Sequence, residues 1–528
     1  MAKLAEKIVA EGRWPEAWAQ HWVVPLHKKK ETFLCNNYRG IHLTSQLSKA
    51  MERLLGERWI PAAASDRSAG ENQFAYRKKR GSRDLLAHAS MQWIMALRMK
   101  QKVAVYLSDV SGAFDKVEAQ RLMQKLEASD VDPKMLPVIR SWLRARRAKV
   151  VVGGEQADMP DLENQVFQGT VWGPILWLVF YADSSKAVQE NGFQELIFAD
   201  DLNAFKTFGH KVSKEEILAE AATCQCSLHE WGRANQVAFD SGKEATAILS
   251  RWPRQTHGED FTILGTVFDG MLTMRPAVDE ILKSVRWRKH VLQRSRRFHT
   301  LDQMVLLWKG RVLGSIEHRT SAIYHAADTI LQPLDRLQAS YLEALGLSEQ
   351  DALRDHNLAP LGCRRDMAML GVIHRAVLGH GPDHFREHIR LATDTAAAST
   401  ANPPLHRLQA QSYRKGLAID FEAPSCRSEP PDFFLRSIYG LLDVYNLLPT
   451  DVVEQSSDVR SFQASLQALL KCAMSSGFGQ WQGLLSPRWD VRRHPLRAWR
   501  AQLLEKEVVQ GDTACHVFQP GQHMEAVV

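Results

Sequence analysis

Between Leu196 and Phe205 the chain reads Leu-Ile-Phe-Ala-Asp-Asp-Leu-Asn-Ala-Phe, two adjacent carboxylates set between apolar runs with no cation inside the stretch. Side chains of a strand alternate faces, so Asp200 and Asp201 can be presented together only at the tip of a hairpin or bend, where both escape the core. Such a tip reads as a place that holds a cation. An isolated Asp-Asp pair also arises by chance, so the remainder of the chain must supply its company.

The 528 residues, 45% hydrophobic and 24% charged, allow two to four domains with a sizeable core and exclude disordered and fibrous classes. A net charge of +7 permits a polyanionic partner without requiring one. The seven cysteines are odd in number and scattered, which suits a reducing compartment better than a disulfide framework. Cys224, Cys226 and His229 lack zinc-site spacing and read as helix residues. The start, Met1 to Trp18, shows no secretory signal, and the longest apolar run, Val171 to Ala182, is too short for a bilayer and is broken by Gly173 and Pro174. The expectation is an intracellular protein, nuclear and/or cytoplasmic, with no membrane partner.

Along the chain, Val23, Val24 and Leu26 predict a short strand, followed by loops carrying Lys28, Lys29, Lys30 and Arg39. Leu43, Leu47, Met51 and Leu54 predict a helix over Ile41 to Pro61, closed by the proline. A turn at Gly81-Ser82 leads into a helix from Asp84 to about Lys100. Val103 to Asp109 is a buried-strand pattern ending on a carboxylate, and Asp115 falls in the first turn of the helix that follows. Taken alone, Asp109 reads as a cap or turn residue rather than a site residue. A helix around Leu136 to Leu143, the strand Val150 to Val152 and a Gly153-Gly154 turn come next. Gly169 and Gly173 then leave room for another backbone or a flat ligand beside Gln168, and the apolar helix after Pro174 is core. The order is β-α-β-α-β, with carboxylates brought to one edge of a small sheet. Three converging carboxylates would hold two divalent cations about 3.5 to 4 Å apart, and without cations their repulsion would raise at least one pKa.

Seven stretches, in this order, resemble the reverse transcriptase domain of non-LTR (LINE-type) retrotransposons: Asn37-Tyr-Arg-Gly-Ile-His-Leu43, Gln73-Phe-Ala-Tyr-Arg-Lys78, Leu107-Ser-Asp-Val-Ser-Gly-Ala-Phe-Asp115, Gln168-Gly-Thr-Val-Trp-Gly-Pro174, Phe198-Ala-Asp-Asp201, Trp231 with Asn235 and Lys243, and Ile263-Leu-Gly265. The likeness covers residues 13 to 275 and weakens toward 375. It implies an α+β right-hand polymerase with fingers, a ferredoxin-like palm and a helical thumb, plus a mostly helical C-terminal region. The expected divisions are 1–100 for fingers with part of the palm, 101–272 for the palm, 273–393 for thumb and connection, and 405–528 for a helical region of unknown role. By the same resemblance Asp109, Asp200 and Asp201 are the catalytic metal-binding carboxylates for two Mg²⁺ ions, with Mn²⁺ as a substitute, Asp201 serving shape more than ligation. Phe114 is the aromatic gate under the sugar 2′ position. Arg39, with Lys28 or Lys30, holds the incoming triphosphate. Gln168 and Gly169 position the template, and Lys243 faces the leaving pyrophosphate, although the family's usual Lys-Thr is Lys243-Glu244 here.

The run Lys283 to Arg297 carries seven Lys or Arg in fifteen residues. Arg286, Arg288, Lys289, Arg294, Arg296 and Arg297 are the expected contacts to a nucleic-acid backbone. A small-residue, proline-ended linker is expected at 394–404, followed by helices around 433–448, 459–474 and 495–509. No carboxylate set suggests an RNase H, and no Cys/His knuckle or preceding endonuclease is read, so a polymerase portion of an element, or a truncated or separately maintained copy, is expected. The implied partners are an RNA template, a DNA primer or target DNA and dNTPs, with protein partners unknown. The implied activity is RNA-directed DNA synthesis. A catalytically idle, element-derived RNA-binding protein is the alternative, and an intron maturase or telomerase-like relative a third reading.

Overall fold

The computed structural model describes residues 1–28, 31–144, 146–158, 162, 165–389 and 433–509. They fall into two compact units, Met1–Ala277 and Val278–Val528.

The first unit is built on two four-stranded sheets. The central strand of one is β3 (Lys102–Ser108), every residue of which is buried. Its continuous apolar run, Val103 to Leu107, suits a strand covered on both faces. It pairs antiparallel with β7 (Asp201–Phe208) on one side and with β8 (Ala245–Leu249) on the other, and β6 (Gln194–Phe198) completes the order β6-β7-β3-β8. Strand order and connectivity together give a ferredoxin-like sheet, the arrangement expected for the palm. On one face Tyr106 and Ala204 join the core with the helices that the chain lays down between β3 and β8: α5 (Ala119–Glu127), α6 (Met135–Leu143), α7 (Gly173–Tyr181), α8 (Ser184–Gln189) and α9 (Lys214–Asn235). On the other face Trp93, from the helix Ser82–Arg98, meets Phe205 edge-on, with ring centroids 6.3 Å apart.

The second sheet has the order β2-β1-β4-β5, from β1 (Gln20–His27), β2 (Tyr38–Leu43), β4 (Arg147–Val152) and β5 (Glu155–Asp158). This corrects the β-α-β-α-β order: the Val150 strand runs parallel to β1 rather than joining the carboxylate-bearing sheet. Strand partners of this kind are non-local, and a single strand's pattern does not name them. The Gly153-Gly154 turn joins β4 to β5 as expected, both glycines having positive φ. Two other boundaries shift. Arg39 and Ile41 lie in β2, paired with Leu26 and Val24, and the following helix is Gln46–Ala63, with Pro61 inside its last turn rather than beyond it.

The helix Arg275–Ser295 opens the remainder, which is helical among the described residues. The expected helices of the C-terminal region are Ile438–Leu447, Val459–Ser475 and Pro495–Val509. In the second unit Leu361–Val377 is the central helix: His374 on it stacks on Phe462 at 4.0 Å and bonds the Tyr445 hydroxyl at 2.9 Å. The expected linker at 394–404 lies outside the described residues. No helix among those described is long and apolar enough to cross a membrane.

Candidate active site

Strands β6 and β7 form a hairpin in which Phe198 faces Asp201, leaving Ala199 and Asp200 as a two-residue turn. A tight hairpin turn requires positive φ at its first central residue or at both, and Ala199 has φ +60°. Asp200 therefore stands at the tip and Asp201 at the first position of β7, as the sequence pattern requires. Asp109 directly follows β3, the strand hydrogen-bonded to β7, so sheet pairing brings all three carboxylates to one end of the palm.

Their electrostatics show the crowding. Burial raises the pKa of Asp200, and Asp109 raises it further, while Arg39 and Lys243 oppose the shift. Burial, then Asp200 and Asp109, push Asp201 up to about 6. The phenol of Tyr181, beneath the cluster, is driven upward by burial and by the same carboxylates. Lys243 Nζ donates to Asp109 Oδ2 and lies 3.5 Å from Asp240 Oδ2. The bond to Asp109 is the main reason its own pKa rises. The loop carrying it is fixed by two backbone bonds, Asp240 N to Asp109 O at 2.9 Å and Lys243 N to Asp240 O at 2.9 Å.

Three carboxylates offer hard oxygen donors, the chemistry that suits Mg²⁺, and their mutual repulsion is what a divalent cation would relieve. The donor set fits the ion. It is not a ready-made cage: among the described residues no three acidic, histidine or cysteine groups stand close enough to enclose a metal.

Arg39 and Lys28 reach the same end of the molecule from the second sheet. Both favour the charged form of Asp115, whose pKa burial raises, and Arg39 acts on Asp200 as well. Lys30 lies outside the described residues. Asp115 belongs to a short 3-10 turn, Ala113–Lys116, ahead of α5 rather than to α5 itself. Phe114 in that turn stacks on Trp177 of α7, ring centroids 5.8 Å apart. The Trp177 indole N–H donates to the Ala199 carbonyl at 3.1 Å, so one side chain supports both the aromatic and the hairpin turn. Gln168 accepts from His42 N at 2.8 Å through its backbone carbonyl, which sets the Gln168-Gly169 loop against β2. Gly169 has φ +101°, and a Cβ there would lie 2.8 Å from the His42 carbonyl oxygen, so the position admits only glycine without distortion.

Of the six basic residues after the palm, Arg286, Arg294, Arg296 and Arg297 are exposed. Arg288 and Lys289 are half-buried and bonded within the helical unit, to Arg311 O at 2.9 Å and Ser340 Oγ at 2.5 Å. Arg296 also donates to Ala344 O.

Three contributors have no role assigned from the sequence, although Gln73 and Tyr76 lie in the Gln73–Lys78 stretch. Tyr76 is half exposed with φ +55°, and Asp200 raises its pKa after burial does, while Arg39 lowers it. Gln73 bonds both peptide groups of Ala199. Glu52, fully buried, accepts from Val171 N at 2.7 Å and Trp142 Nε1 at 3.2 Å, behind the Gln168-Gly169 loop. The departure at Glu244 has a local cause: its carboxylate accepts from Tyr106 OH at 2.5 Å and Gln225 Nε2 at 3.0 Å and pairs with His229 Nε2 at 2.8 Å.

Residues 26–248 match the family described as reverse transcriptase (RNA-dependent DNA polymerase). The RNA-directed DNA polymerase from mobile element jockey of Drosophila funebris is 25% identical over 358 residues, 64% of this chain and 39% of that protein. Its Drosophila melanogaster counterpart is 27% identical over 390 residues, 69% of this chain and 42% of that protein. The Pol polyprotein from type-1 retrotransposable element R1 of Bradysia coprophila is 24% identical over 250 residues, 47% and 24% of the two chains. This chain thus spans about two-fifths of the length of the jockey proteins. Among solved structures, telomerase from Candida tropicalis with a fragment of telomeric RNA aligns over 72% of this chain and 62% of that one, with 11% identity and a TM-score of 0.38. Over residues 26–248 the chain is therefore similar to reverse transcriptases, and the relatives it matches are RNA-directed DNA polymerases of mobile elements.

Proposed function

We propose that the chain is an RNA-directed DNA polymerase that adds deoxynucleotides to a primer 3′-hydroxyl. The observation that carries this reading is the meeting of Asp109, Asp200 and Asp201 at one end of a ferredoxin-like sheet, with Lys243 and Arg39 within electrostatic reach. Asp109, Asp200 and Asp201 would hold Mg²⁺, which when bound lowers the pKa of the primer hydroxyl and neutralises phosphate charge. Arg39, with its planar fork of donors, and Lys28 bind the triphosphate of the incoming nucleotide. The Phe114 ring occupies the space a 2′-hydroxyl would need, which favours the deoxy sugar. Gln168 and Gly169 support the templating base, the glycine allowing close backbone approach. Lys243 holds its proton at Nζ and exchanges its bond to Asp109 for one to the leaving pyrophosphate.

Primer extension on RNA and DNA templates side by side, with Mg²⁺, tests the reading. Wild-type protein is expected to extend the primer on RNA, and Asp200→Ala to lose on the order of 10³-fold or more in rate. Full activity in Asp200→Ala would overturn the assignment. Salt-sensitive RNA binding with no dNTP incorporation by wild-type protein would instead mark an idle RNA-binding descendant.

A further inference from the structure

Ala199 is in an unusual position for its side chain. With φ +60° it occupies a region that residues with a side chain seldom adopt, and it is the residue immediately before Asp200. A conformation of this kind persists only where the surroundings impose it. The surroundings here are specific. The segment Asn72 to Phe74 runs alongside β6, with Ile197 N donating to Asn72 O at 3.0 Å and Phe74 N to Ile197 O at 2.9 Å. Where that pairing stops, the side chain of Gln73 continues it. Its Oε1 accepts from Ala199 N at 2.9 Å, and its Nε2 donates to Ala199 O at 3.2 Å.

The amide has one orientation only. Oε1 also accepts from Ala75 N at 3.0 Å, so an exchanged amide would set Nε2 against two N–H groups. Gln73 is 2% exposed, so no water competes for these bonds. A buried glutamine that bonds both peptide groups of one strained turn residue, sharing its carbonyl with Trp177 Nε1, extends the pairing of the Asn72–Phe74 segment to the turn itself.

We propose that Gln73 is a positioning residue: by holding both peptide groups of Ala199 it sets the turn that presents Asp200 and Asp201. This rests on the polymerase reading for its effect on rate, but the clamp itself is a statement about the turn.

The test uses the full chain in four forms: wild type, Gln73→Met, Ala199→Gly and the double variant. Methionine keeps the volume and removes both hydrogen bonds; glycine at 199 adopts positive φ without the clamp. Two readouts are taken, primer extension with Mg²⁺ and amide hydrogen exchange of the peptide spanning 196–203 against one spanning β3. Gln73→Met is expected to exchange about tenfold faster at the hairpin with β3 unchanged, and to lower kcat about tenfold with KM for dNTP held within about threefold. Adding Ala199→Gly is expected to recover part of kcat, which a general loss of stability would not allow. Unchanged hairpin exchange in Gln73→Met, or faster exchange that spreads equally to β3, would overturn the proposal. If wild-type protein extends no primer, the polymerase reading fails, and the exchange comparison still decides the clamp.

Discussion

At the scale of single residues, Glu244 shows how a departure from a family pattern can be read physically. The family's usual threonine would place one hydroxyl where this chain has a carboxylate that answers Tyr106, Gln225 and His229. Glu244→Thr restores the family pair but strands at least two of those donors, and a buried polar group left unmade costs about 1 to 3 kcal/mol. Urea unfolding is expected to show Glu244→Thr less stable by about 2 to 3 kcal/mol, and an unchanged midpoint would refute the account. Asp366, in the helical unit, carries a different signature. It is buried, accepts from Tyr324 OH at 2.6 Å, and is pushed up to about 6, chiefly by burial. A carboxyl whose folded pKa lies above its unfolded value contributes stability that is fully present below the unfolded pKa, near 4, and is lost as pH rises through about 6. Each pKa unit is worth about 1.4 kcal/mol, so this group lowers stability by on the order of 2 to 3 kcal/mol across that window. Asp366→Asn, which cannot ionise, is expected to flatten that part of the stability profile when denaturant midpoints are compared between pH 4.5 and 7.5.

At the scale of elements, the palm is legible in the sequence and the second sheet only in part. Val103 to Leu107 and Leu196 to Phe198 are short apolar runs that end on carboxylates, and both become strands for the reason that made them visible: each has a face or two to bury. The turn at Asp200 is legible because two adjacent charges cannot both be buried. The parallel pairing of β4 with β1 is not, since it joins residues far apart in sequence whose pattern says only that they are strands. Nor does the sequence show how α7 begins. A helix leaves its first N–H groups without partners, and here Glu52, from the helix Gln46–Ala63, reaches across to accept from Val171 N and, at 3.4 Å, Trp172 N. A charged residue at a buried helix position reads as an error in the periodicity, when it anchors the backbone that leads into a different helix. Replacing it by leucine leaves those donors and Trp142 Nε1 unanswered in the core. Glu52→Leu is expected to cost about 3 kcal/mol or more in denaturant unfolding. It should also loosen the Gln168-Gly169 loop, so that hydrogen exchange there rises before that of β3; equal protection in wild type and Glu52→Leu would show that the loop does not depend on this carboxylate.

At the scale of the whole molecule, a net charge of +7 on 528 residues is too small to bind nucleic acid by itself, so the proposed nucleic-acid affinity would have to come from where the charge is placed. The helix Arg275–Ser295 and the residues just after it hold the densest basic run, and the structure divides that run by environment. Arg286, Arg294 and Arg297 are exposed, and Trp287 among them is 68% exposed. Arg288 and Lys289 serve the packing of the helical unit, and burial lowers the pKa of Lys289. The two groups should therefore fail in different ways. Each cation that neutralises a duplex phosphate contributes about 0.9 to the slope of log K against log salt. Changing Arg286, Arg294 and Arg297 together to Gln is expected to reduce that slope by about 2 to 3 on an RNA–DNA hybrid while leaving the unfolding midpoint nearly unchanged. Changing Arg288 and Lys289 to Gln is expected to lower the midpoint and leave the slope within about 0.5 of wild type. Fluorescence anisotropy between low and moderate salt, paired with urea unfolding of the same proteins, separates the two. A slope indifferent to Arg286, Arg294 and Arg297 would remove this helix from the nucleic-acid interface and return its charge to ordinary solvation.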